Sequence, residues 1–235
     1  LAIPFLLTVL LGGVAALDAT PVAQTLLSQP LVTSTLLGML WGDWATAMEV
    51  GVVLQMLAAS TLPIGARTPE DYATGGVAGV GVALALAHGV SVQPWRDAAA
   101  LAGTIVGMLA ATSGVPLVRW QRRRNEGLSR WCEAEILAGR EGAPALASLA
   151  GATMAFAVGV ALCAAWLAIG TVGLRGIVEG ESLRLARAWT LAQPLWLGFG
   201  AAQLLSAFVQ RRLTRAGVFG AALAGAWLTL VLGTP

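Results

Sequence analysis

In 235 residues the chain carries 57% apolar side chains against 11% charged ones, with a mean hydropathy of +0.77. That balance excludes an ordinary soluble domain and a disordered one. A net charge of +2 says little about partners, and no nucleic-acid interface is expected; the distribution of the charge says more.

The 29 glycines, with abundant alanine, favour helices that pack closely where lipid removes the hydrophobic drive, and no run of alternating polarity suggests a transmembrane barrel. We therefore read residues 1–235 as one all-α, polytopic membrane domain. Cys132 and Cys163 lie far apart without CxxC spacing, so neither a disulfide nor a metal site is expected, and no cofactor is called for.

Leu1 to Leu17 reads as a first helix rather than a signal peptide, having no charged leader or small-residue cleavage site. Asp18 and Pro21 are then expected to cap and open a short, mildly polar helix ending at Leu27. Leu31 to Trp41 is apolar but too short for a bilayer, which needs about 20 helical residues. It reads as a half-helix, with Pro30 at its first position and Gly42 as its stop. Its positive end would offer free backbone donors beside Ser28 and Gln29.

Asp43 is placed to cap a helix from Trp44 to about Leu62. On that helix Glu49 and Gln55 are six residues apart and should not share a face. Gln55 lies instead with Gly51 and Ala59, where a neighbouring backbone can approach. The stretch from Pro63 to Asp71, with two prolines and three charges, reads as a loop. Tyr72 to Gly89 is a glycine-rich helix with His88 at its end.

Pro94 marks a turn before a helix from about Asp97 to Val118. Arg119 to Gly142 carries six arginines against four glutamates and reads as a hydrophilic loop, cytoplasmic by the arginine bias of such loops. Its Trp120 and Trp131 suit headgroup-level anchors. Pro144 to Ile169 spans, 170–193 reads as a connector with a short amphipathic helix, and Pro194 to Val209 spans back to a second cluster, Arg211, Arg212 and Arg215. Gly217 to Leu232 closes the chain. Both arginine clusters fall on one side in this topology. Gln29-Pro30 and Gln193-Pro194 each precede an apolar run, so an inverted repeat is one reading and chance recurrence the other.

Polar side chains next to helix breakers are costly in lipid unless the backbone lines a cavity or lies buried in protein. Residues 17–71 concentrate both, and a solute site is expected there. In order, LD, a polar segment, SQPLVTSTLLGMLWGD, an apolar helix bearing Gln55, LPIGARTPED and a glycine-rich helix resemble the permease (IIC) subunit of mannose/fructose/sorbose-type sugar phosphotransferase systems. The likeness is close over residues 12–90. The family has a proline-leucine-threonine-glycine-glycine-aspartate run and a PIG-x-x-x-P-x-D loop. Here Gln55 stands where members usually carry a glutamate, Glu70 where a second proline is common, and Asp71 is kept.

The resemblance implies a bacterial inner-membrane subunit that translocates a hexose-like sugar and donates no phosphate itself. It further implies a IID membrane partner, a homo-oligomer of IIC–IID units in membrane lipid, and soluble IIA and IIB phosphoryl carriers. The substrate-binding candidates are Asp18, Ser28, Gln29, Asp43, Gln55 and Asp71. A non-transporting scaffold or regulatory paralogue is the alternative, which the loss of the glutamate favours slightly. A membrane lipid phosphotransferase is disfavoured, because the carboxylates are too scattered to hold a metal.

Overall fold

The computed structural model describes residues 2–19, 22, 24–59, 68–209 and 211–232, all helix and connecting turns. Seven helices follow in order: α1 (Ala2–Ala19), α2 (Pro30–Trp41), α3 (Trp44–Ala59), α4 (Tyr72–Ala87), α5 (Gln93–Leu137), α6 (Ala143–Phe208) and α7 (Arg212–Leu232). Among the described residues, Ala2–Ala19, Gln93–Leu137 and Ala143–Leu205 are long and apolar enough to cross a membrane. The other helices of the first half are too short. The 12 residues of α2 rise about 18 Å and the 16 of α3 about 24 Å, against a hydrocarbon thickness of about 30 Å.

The half-helix therefore forms as expected. Proline opens α2, and Gly42 closes it at φ 71°, where its amide donates back to Gly38 O. This left-handed cap lets α3 turn back against α2. The two touch closely where a Cβ on Gly51 would fall 2.1 Å from Ser34 Oγ, which bears out the small face expected around Gln55.

At the centre lies α4, every residue of which from Ala73 to Ala87 is buried. It reaches α5 backbone to backbone: a Cβ on Gly79 would meet Gly103 O at 2.6 Å, and one on Gly103 would meet Gly79 O at 2.5 Å. With no hydrophobic drive between helices in lipid, such close dispersion contact is what holds them together. His88 sits at the end of α4, edge-on to Trp41 at 5.7 Å, as a helix-end residue.

Several expectations from the sequence do not hold. Among the described residues the short helix expected from Asp18 to Leu27 does not form: α1 continues through Asp18 to Ala19, and residues 24–29 form turns with positive φ at Gln24 and Leu26. Pro94 belongs to the first turn of α5 rather than to a turn before it. The basic stretch from Arg119 is no loop either, because α5 runs unbroken to Leu137, past Pro116, and turns only at 138–142. High charge had masked good helix formers, supported by i,i+4 pairs such as Glu126–Arg130 at 2.7 Å.

The expected connector at 170–193 is helical too. α6 consists of two arms meeting at Glu181, whose φ of −126° and ψ of 25° break the helical path. Gly170 of the first arm lies against Val106, Gly107 faces Leu54, and Gly200 of the second arm lies on the Met56 backbone. The second arm thus lies beside α3, with Gly200 against Met56. Pro194 lies inside that arm and opens no helix, so the Gln-Pro echo has no structural counterpart. The expected end of α3 at Leu62 and the Pro63–Arg67 part of the loop fall outside the described residues, as does Pro21.

Candidate functional site

Three short elements meet at the opening turn of α2. Gln55, on α3, accepts from Leu31 N with Oε1 at 3.1 Å and donates from Nε2 to Gln29 Oε1 at 2.8 Å. Val32 N and Thr33 N bond to Gln29 O, and Gln29 N bonds to Leu26 O. The free donors expected at this tip are therefore engaged. The opening turn of a helix leaves its amides without intrahelical partners, and the Gln55 amide supplies one. Glu49, as its spacing predicts, faces elsewhere, toward the Trp189 side chain of α6.

Asp18 shapes the approach to the tip. From the last turn of α1, 4% exposed, its Oδ1 accepts from the backbone N–H and the hydroxyl of Thr25, the latter at 2.8 Å, while Oδ2 accepts from Ser28 N at 2.8 Å. Asp18 is thus no helix cap. It pins the turn that leads into Gln29, and Ser28 is the point at which it holds the chain.

Asp71 caps α4, accepting from Thr74 N at 3.2 Å, while its own N–H donates to Ala111 O at 3.0 Å. A Cβ on Gly114 would fall 2.7 Å from Asp71 Cβ, so the carboxylate is seated on the small face of α5. Five residues along α4, about 8 Å by helical rise, Gly76 packs on Pro30. Asp71 and Gln29 accordingly share one end of the bundle.

Asp43 is at the far end of α2, about 18 Å away along the axis. There its Oδ1 caps α3 by accepting from Thr46 N at 3.2 Å, as expected, and it pairs with Arg96 of α5, which also reaches Thr46 Oγ1 at 3.4 Å. The structure therefore brings Gln29 and Gln55 into contact, sets Asp18 and Ser28 behind them and Asp71 alongside, and leaves Asp43 apart. Arg96 was missed. Its signal was present, since it is the lone arginine between Thr68 and Val118, and an isolated cation in an apolar half calls for a counter-ion.

No group of three or more metal-ligating side chains occurs among the described residues. Two grooves of about 690 and 740 Å³ lie elsewhere, one between the outer part of α5 and the start of α6, the other between the second arm of α6 and α7; none of the six candidates lines them.

This arrangement, a discontinuous helix whose tip is held by paired amides behind a buried carboxylate, carries the sequence motifs noted above. Over residues 2–224 the sequence matches the family described as the sorbose-specific IIC component of the phosphotransferase system. The chain belongs to that family. Two solved structures resemble this IIC component, each at 17% identity and each covering 97% of this chain and 96% of the other. One, described as a membrane protein, has a TM-score of 0.67; the other, a cryo-EM structure of the mannose transporter ManYZ in complex with microcin E492, has one of 0.56. At that identity they establish a common fold. No curated protein matches the sequence. As a IIC component, the chain is a sugar-translocating, multi-pass membrane subunit of a phosphotransferase system.

Proposed function

We propose that this subunit binds a hexose-like sugar at the opening turn of α2 and passes it inward across the bacterial inner membrane. The observation that carries the proposal is the Gln55 amide bridging Leu31 N and Gln29. An amide offers both donor and acceptor to hydroxyls, and a sugar hydroxyl that replaces either contact recovers the hydrogen bond it breaks. Gln29 and Gln55 contact the sugar directly in this reading. Ser28 and Asp18 keep the turn in place, Asp71 supplies an acceptor from the α4 side, and Asp43 anchors the far end of α2.

Motion of this broken-helix region against α4 provides alternating access. The subunit works with a IID membrane partner in a homo-oligomer of IIC–IID units, and the IIA and IIB carriers bring the phosphoryl group to the emerging sugar. The arginine-rich ends at Arg119–Arg140 and Arg211–Arg215 face the cytoplasm in this arrangement.

Phosphorylation-dependent hexose uptake, measured in cells that carry this chain with its IID and carrier partners, tests the reading. Uptake that falls in Gln55→Ala and Asp71→Ala supports it. Uptake unchanged in both removes the site, and no uptake at all with partners present leaves the scaffold reading standing.

A further inference from the structure

The last buried residue of α5 is Gly114, and the helix then emerges from the bundle through Leu117, Arg119 and Trp120, all exposed. Arg119, Arg122, Arg123 and Arg124 follow within two turns. Among the described residues no carboxylate lies within ion-pair distance of any of them: the pairs on this hairpin are Glu126–Arg130 and Glu135–Arg140. Arg122 reaches only Thr68 Oγ1, at 3.4 Å, and Arg124 lies over the Trp120 ring, 5.5 Å from its centroid. Beside them a groove of about 480 Å³ runs between α5 and α6, lined by Arg123, Arg124, Gly127, Leu128, Ala150 and Met154. It has a cationic rim, an apolar floor and an indole at the same level.

We propose that this groove holds one anionic phospholipid, its phosphate forked between the Arg123 and Arg124 guanidiniums and an acyl chain descending past Met154. Guanidinium groups match phosphate oxygens in pairs, and two uncompensated arginines beside an anionic leaflet strengthen that contact. An acidic protein would be met by the same charges, but a lipid fills the whole groove with one molecule, its phosphate on the guanidiniums and its chain against Leu128, Ala150 and Met154. The proposal stands apart from the sugar site, since none of these residues lies near Gln29 or Gln55.

Native mass spectrometry of the full chain taken from nanodiscs tests it, with phosphatidylglycerol and phosphatidylcholine as the two probes. The full chain retains phosphatidylglycerol, and Arg123→Gln with Arg124→Gln lowers retention by roughly thirtyfold. Arg123→Lys with Arg124→Lys, which keeps the charge, retains most of it. So does Arg211→Gln with Arg212→Gln, which removes the same charge at the start of α7, and circular dichroism confirms helix content in every variant. Equal loss in both glutamine pairs reveals diffuse attraction and overturns the site. Equal retention of phosphatidylcholine also overturns it, as does full displacement by soluble glycerol 3-phosphate, which marks a free-phosphate site. Unchanged lipid together with lost binding of an acidic IIB carrier assigns the arginines to a protein and overturns it too.

Discussion

Gln55 Nε2 lies 2.8 Å from Gln29 Oε1 while its Oε1 takes Leu31 N, so one side chain of α3 holds both the residue before α2 and the first free amide within it. Truncation in Gln55→Ala leaves two polar groups without partners. A destabilisation of about 0.5–1.5 kcal/mol follows, since solvent reaches the Leu31 amide, with a marked loss of sugar uptake. Gln55→Glu keeps an acceptor for Leu31 N and replaces the Gln29 contact by one that Gln29 meets through its own amide N–H after a flip. Its thermal midpoint stays closer to that of the parent chain. Melting in detergent, run beside uptake with partners, checks both variants, and an Ala variant that melts unchanged removes the bridge as a structural contact.

How much of this was legible in the sequence differs from residue to residue. Pro30 and Gly42 announced α2, because each has a backbone requirement that few other residues meet, and both bounds fell where those residues stand. The turn after α1 was misread because Asp18 and Pro21 look like a helix start, whereas Asp18 is a terminal residue reaching forward seven and ten positions to Thr25 and Ser28. Such a contact leaves no periodic trace. Likewise the charge of Arg119–Arg140 reports where the chain meets water, not whether it stays helical, so a continuous α5 was read as a helix and a loop. The Gln29–Gln55 pair was anticipated only as two nearby candidates; spacing put Gly51 beside Gln55 on a face open to a close neighbour, but that the neighbour is Ser34 of α2 is set by packing.

That packing yields a second prediction. A methyl group on Gly51 falls 2.1 Å from Ser34 Oγ and 2.4 Å from Ser34 Cβ, with the Pro30 carbonyl at 3.6 Å. Gly51→Ala therefore pushes α2 away from α3 and costs about 1–3 kcal/mol by overpacking. Gly127→Ala, where nothing lies within 4 Å, is instead stabilising by up to about 1 kcal/mol because alanine favours helix. Paired melting curves of the two variants decide the matter, and identical shifts would show that the α2–α3 contact is not tight.

At the other end of α2, Asp43 and Arg96 form an ion pair with side chains 19% and 28% exposed. Removing either partner leaves a charge in a poorly solvated place, so Asp43→Ala and Arg96→Ala should each destabilise by about 1–3 kcal/mol, toward the low end because solvent still reaches both groups. The double variant should lose less than the sum. A double-mutant cycle measured by thermal unfolding reads the coupling directly, and strict additivity would show that the pair contributes only through the Asp43 cap on Thr46 N.

Asp18 offers the sharpest separation between shaping a site and contacting its ligand. Its two oxygens take the amides of Thr25 and Ser28 and the Thr25 hydroxyl, which fixes a turn that contains two non-glycine residues at positive φ, Gln24 at 52° and Leu26 at 74°. Such backbone persists only when its surroundings over-determine it. In Asp18→Ala the turn relaxes, amide exchange of residues 24–29 rises by an order of magnitude or more, and Gln29 loses its fixed approach to Gln55. Asp18→Asn keeps one acceptor oxygen and therefore falls between the two. Uptake then declines in step with exchange, not independently of it. Were exchange in this turn unchanged in Asp18→Ala while uptake vanished, Asp18 would be a direct sugar ligand rather than the residue that holds the turn.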